Sequence, residues 1–139
     1  MSLDIYLRKH KPIPNEDSDD DFYDTWIGSY GLNITHNCNK CAAQVHLKTP
    51  EHIGNNIYIA NTLTLYDILW RGNEHNIIQA KEIIPYVKEG LNKLMNNIRF
   101  YQQFDPPNGY GNIYSLIRFC IILITNCKEN PEAYLEFSR

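Results

Sequence analysis

The sequence predicts an α+β fold: a small, mostly antiparallel sheet of terminal strands packed against three main helices. Three observations predict it. Residues 2–8 (SLDIYLR) place Leu3, Ile5 and Leu7 on one side and Asp4, Tyr6 and Arg8 on the other, the period of a strand with one buried face. Residues 134–138 (YLEFS) alternate in the same way and suit a closing strand that pairs with the first. Between them, two long stretches carry apolar residues at helical spacing, so helices cover one face of the sheet.

The intervening elements follow in order. Residues 11–21 (KPIPNEDSDDD) combine two prolines with an acidic run and read as a solvated loop. Residues 22–30 (FYDTWIGSY) are aromatic-rich and predict a second strand, with Gly28 and Gly31 permitting a turn after it. From Asn33 the period changes. Ile34, Cys38, Cys41, Ala42 and Val45 form a helical stripe, with Asn33 as the expected N-cap. Residues 48–62 are irregular, with Pro50 and Gly54, and allow a short strand at 57–59. Residues 65–70 (LYDILW) predict one or two helical turns ending near Gly72.

Residues 76–96 are the clearest helix, with Ile77, Ala80, Ile84, Val87, Leu91 and Leu94 on one broad face. Pro85 removes one backbone hydrogen bond there, but the stripe keeps phase, so a kink is expected and not a break. Residues 105–111 (DPPNGYG) form a turn-rich loop. Residues 112–127 then carry Ile113, Leu116, Ile117, Cys120, Leu123 and Ile124 on one face, a second long helix that is over by Pro131. There is no internal repeat and no domain boundary, and 139 residues suit a single domain.

Composition bounds the function. The chain is 43% hydrophobic and 21% charged, ordinary for a globular domain. A formal charge of −3 and the absence of a Lys/Arg run argue against a general nucleic-acid binder. No apolar stretch approaches the roughly 20 residues of a membrane helix. The first residues lack a signal-peptide pattern, so a cytoplasmic location with four reduced cysteines is expected.

Four blocks carry most of the chemistry: LDIYL (residues 3–7), NITHN (33–37), LYDILWR (65–71) and NGYG before an aromatic helix (108–114). Together they resemble a family of small proteins found mainly in bacteriophages and bacterial genomes, whose blocks read LDVYL, NITHNL..MA, IY..LWR and NPxNGWGxY. The resemblance covers most of the chain. Residues 15–21 and 48–61 look like expansions of this sequence. It implies a shared fold, a shared site and a phage or prophage setting, and it implies no activity.

The candidate ligand-binding residues are Asn33, Thr35, His36, Asn37, Trp70, Arg71, Asn108, Gly109, Gly111 and Tyr114. They sit at element ends, where a scaffold positions binding groups. On a helix starting at Asn33, His36 points away from the apolar stripe, with Asn33, Asn37 and Lys40 beside it. The plain alternatives are a solvated helix face, a tight turn at NGYG and a helix-end cation at Arg71. The functional expectation is one shared cleft. There Arg71 grips a phosphate, Trp70 or Tyr110 stacks on a base, and asparagines read polar edges. The expected function is therefore binding of a small anionic or nucleotide-like ligand, in a phage setting as sequestration of a host immune signalling nucleotide. Two other readings stay open: a protein-interaction module inhibiting a host factor through exposed aromatics, and a hydrolase or transferase using His36.

No cofactor is expected. Cys38 and Cys41 form C-x-x-C, yet both lie on an apolar stripe, and the resembling family carries Leu and Met there. Cys120 and Cys127 also lie on an apolar helical face, so all four read as buried small hydrophobes and not as zinc ligands or a redox pair. His10, His46, His52 and His75 show no ligand spacing. His36 is the best acid–base candidate, with Asp4 or Asp67 to orient it, whereas Ser29 and Ser115 lack a nucleophile-elbow context.

Overall fold

The computed structural model describes residues 2–9, 32–48 and 63–139. The expected strands at 22–30 and 57–59 and the acidic loop at 15–21 lie outside the described residues. Strand β1, Ser2–Arg8, forms as its alternation predicts: Leu3, Ile5 and Leu7 are buried and the residues between them half-buried. It is the central strand. Strand β2, Leu32–Thr35, pairs antiparallel with it from Ser2↔Thr35 to Ile5↔Leu32. Strand β3, Tyr134–Ser138, pairs antiparallel on the other side from Asp4↔Ser138 to Arg8↔Tyr134. The two terminal strands therefore do pair, and Arg8 adds an ion pair to Glu136 across them.

Helices cover the buried face. After β2 a single 3-10 turn, His36–Cys38, leads into the short helix α1, Asn39–Ala42. Helix α2, Leu65–Arg71, opens with a capping box in which Thr64 and Asp67 satisfy each other's backbone amides, and a 3-10 turn at Gly72–His75 follows it. Helix α3, Ala80–Asn96, runs through Pro85 as one element. Helix α4, Ile98–Gln102, is a five-residue addition that no periodicity announced. Helix α5, Ile113–Glu129, begins at its cap Asn112, whose Oδ1 accepts from the Ser115 amide at 3.0 Å. Helices α3 and α5 pack along each other, α5 also packs on β2, and α2 packs on α1 and α3. The core lies between this layer and the sheet, with Trp70, Leu69, Ile68, Leu116 and Leu123 among its buried side chains.

Two expectations change here. Residues 33–35 are strand, so Asn33 caps no helix; Thr35 is the cap, its hydroxyl accepting from the Asn37 amide at 3.3 Å. Every member of the expected stripe is still buried, from Ile34 to Val45, because strand, 3-10 turn and helix all turn those side chains inward. The helix expected over 76–96 starts at Ala80 and not at Asn76. Asn76 adopts a left-handed conformation (φ 61°), and Gln79 and Glu82 form a capping box there. The segment before it lies along the outer edge of β3, where the Leu135 amide donates to the Ile78 carbonyl at 2.8 Å. Among the described residues, no strand covers the outer edge of β2.

Candidate functional site

The NITHN block is where the other blocks meet, on two separate sides. On one side, Gly111 of the NGYG loop lies against β2. A Cβ there would sit 2.6 Å from Thr35 Cγ2, 3.1 Å from Cys38 Sγ and 3.8 Å from Asn37 Cβ. Gly111 has φ 88° and Gly109 φ 79°, so the loop turns through two left-handed residues before Asn112 starts α5. The Cys38 thiol donates to the Asn112 carbonyl at 3.6 Å, which fastens the same junction.

This junction opens into a cleft of about 520 Å³ between β2 and the first half of α5. From β2 it is lined by Leu32, Asn33, Ile34 and Thr35. From the loop and helix it is lined by Gly111, Asn112, Tyr114, Ser115, Arg118, Phe119 and Ile122. Asn33, Thr35, Gly111 and Tyr114 were expected to form a site, and the structure brings these four together. Asn37 backs them through Gly111. Asn33 turns its amide nitrogen toward β1, donating to Ser2 Oγ at 2.9 Å and to Asp4 Oδ1 at 2.8 Å. Its carbonyl oxygen is the end left to accept. Tyr114 is 55% exposed, so its ring is available.

The cation of the cleft is Arg118, which sequence reasoning missed. It is exposed and has no ion-pair partner among the described residues. In sequence it looks like any arginine on the wet face of a helix. Its one signal is its place a single turn after Tyr114, on the same helical stripe.

On the other side of the block, His36 meets Trp70. Trp70 Nε1 donates to His36 Nδ1 at 2.7 Å, and the rings lie 6.3 Å apart. Trp70 is buried and stacked on Tyr66 at 5.7 Å, so the expected role of its ring as a stacking surface for a base does not hold: the ring is core. An indole N–H only donates, so Nδ1 is the accepting nitrogen of the pair and the imidazole N–H lies at Nε2. The expected solvated face of Asn33, His36, Asn37 and Lys40 is not formed, since the strand and the 3-10 turn replace a continuous helix. Neither expected carboxylate orients His36: Asp4 holds Asn33, and Asp67 holds Thr64 at 2.9 Å.

Arg71 lies outside the cleft. It pairs with Glu74 at 2.6 Å, its Nε donates to Tyr66 Oη at 3.3 Å, and these two hydrogen bonds raise its pKa above the ordinary value. Arg139 shares Glu74 at 3.2 Å. Asn108 closes its own turn, accepting from the Tyr110 amide at 2.9 Å, and Gly109 faces open space. Neither lines the cleft.

The four cysteines are free and buried. Burial, followed by the charge of Asp105, pushes the Cys38 and Cys41 thiols up to about 11 and about 12. Burial alone raises Cys127 to about 12 and, with the neighbouring thiols, raises Cys120 as well. Such thiols stay protonated and are poor nucleophiles and ligands. Among the described residues no group of three or more His, Cys, Asp or Glu is placed to hold a metal ion, and no helix is long and apolar enough to cross a membrane.

Comparison of the chain with protein-family models, with curated proteins and with solved structures found no match.

Proposed function

We propose that this protein binds a small anionic ligand in the cleft between β2 and α5. One observation carries the reading: Arg118, an arginine without an ion-pair partner among the described residues, lines the same hollow as Asn33, Thr35 and Tyr114. A guanidinium fork matches carboxylate and phosphate oxygens, and a half-exposed tyrosine ring offers a face to a planar group. Leu32, Phe119 and Ile122 supply apolar wall. A volume of about 520 Å³ is of the size that holds a nucleotide-like molecule. In the phage setting implied by the resemblance, such binding acts by sequestration, removing a host signalling nucleotide from solution.

The test is thermal melting of the purified protein against a nucleotide panel and inorganic phosphate. A ligand at about 100 times its Kd stabilises by about 2.7 kcal/mol and raises the melting temperature measurably. The shift is expected to vanish in Arg118→Gln. A panel without any shift, or a shift unchanged in that variant, rules the reading out.

A second reading has its own support. Tyr110, Tyr114, Ile121 and Ile122 are 73%, 55%, 45% and 40% exposed on the loop and helix around the cleft, which suits an interaction module inhibiting a host factor. Ile121→Ser separates the two, because it weakens capture of a protein partner and leaves a nucleotide-induced shift intact.

A further inference from the structure

Resting on the reading that this cleft is the ligand site, we infer that an anionic ligand it takes is an extended acidic peptide segment, which adds a strand to the outer edge of β2, an edge that no described strand pairs. The cleft touches four consecutive residues of β2, Leu32 to Thr35. Successive side chains of a strand point to opposite faces of the sheet, so a hollow that touches all four runs along the strand's edge and not over one face. That edge has no strand partner among the described residues. Its backbone N–H and C=O groups are therefore the natural partners of another extended chain.

The opposite wall has matching length. Tyr114, Ser115, Arg118, Phe119 and Ile122 recur at the spacing of one helical stripe. The stripe spans about 12 Å at 1.5 Å per residue, and Leu32 to Thr35 span about 10 Å at 3.3 Å per residue. Because Gly111 abuts Thr35, the start of α5 lies at the Thr35 end of the groove. Arg118 stands midway along the helix wall, between the apolar Phe119 and Ile122 and the ring of Tyr114. A compact anion engages Arg118 and the walls nearest to it. An extended segment fills the groove: main-chain hydrogen bonds go to β2, apolar side chains at alternate positions go to the helix wall, and a central carboxylate meets Arg118.

The probe is a labelled heptapeptide, Thr-Val-Thr-Glu-Thr-Val-Thr, which puts valine, glutamate and valine on one face. Fluorescence anisotropy is expected to show binding that weakens about tenfold or more when the central glutamate becomes glutamine, and equally in Arg118→Gln, as loss of a charged hydrogen bond requires. N-methylation of the peptide backbone is expected to abolish binding, and amide exchange at Asn33 to Thr35 is expected to slow in the complex. A peptide bound equally well with glutamine, or unaffected by N-methylation, overturns the inference. If nucleotides or phosphate bind through Arg118 and the peptide does not, the inference fails and the small-anion reading stands. If neither binds, both fail.

Discussion

Trp70 is a core residue with one polar atom, and His36 is where that atom is satisfied. A buried indole N–H left without an acceptor costs about 1–3 kcal/mol, so the pair is held by the cost of separating it. In a double-mutant cycle, His36→Ala and Trp70→Phe are expected to couple by about 0.5–1.5 kcal/mol in urea unfolding. Nitrogen-15 NMR of the imidazole is expected to find the proton on Nε2. A coupling near zero, or a protonated Nδ1, would mean that the 2.7 Å contact does not persist in solution. This pairing also explains which site residues were legible in sequence. Thr35, Gly111 and Tyr114 announced themselves as polar, flexible or aromatic groups at element ends. His36, Trp70 and Arg71 did so too, but packing and a neighbouring glutamate claimed them. Arg118 was invisible because a helical arginine becomes a cleft residue only once β2 lies beside it.

Among the elements, the NGYG loop shows how two glycines with the same backbone can matter differently. Both Gly109 and Gly111 are left-handed, and any L-residue at either position incurs about 1–2 kcal/mol of strain. At Gly109 nothing lies within 4 Å of an added Cβ, so Gly109→Ala is expected to cost only that strain. At Gly111 the added carbon meets Thr35 at 2.6 Å, and overpacking adds about 1–3 kcal/mol. Urea denaturation midpoints should therefore rank wild type, then G109A, then G111A, and equal costs would count against the contact between loop and strand. The long helices and the terminal strands were readable because each repeats its period several times. Strand β2 was not. It is four residues long and buries one side chain, Ile34, on a pattern that a helix starting at Asn33 fits equally well.

Across the whole molecule, the buried thiols couple stability to alkaline pH. They sit well above their ordinary value of 9.0 in the folded chain, at about 11 for Cys38 and about 12 for Cys41. Below about pH 9 both folded and unfolded chains keep these protons, and the contribution is constant. Above it the unfolded chain loses them first, so stability falls as pH climbs from about 9 toward the folded values. The melting temperature is expected to be level up to about pH 9 and to fall beyond it, less steeply in Cys120→Ala. An identical slope in that variant would show that other groups govern the decline. Iodoacetamide should label none of the four at neutral pH until the chain is unfolded.

The place of β1 has one more consequence, for how the chain is made. It is the middle strand of the order β2-β1-β3, and every described helix lies between it and its neighbour β3 in the sequence. A ribosome therefore releases β1 long before it releases β3. The two cannot pair until β3 has been made, and until then the apolar face of β1 must be shielded by helices or chaperones.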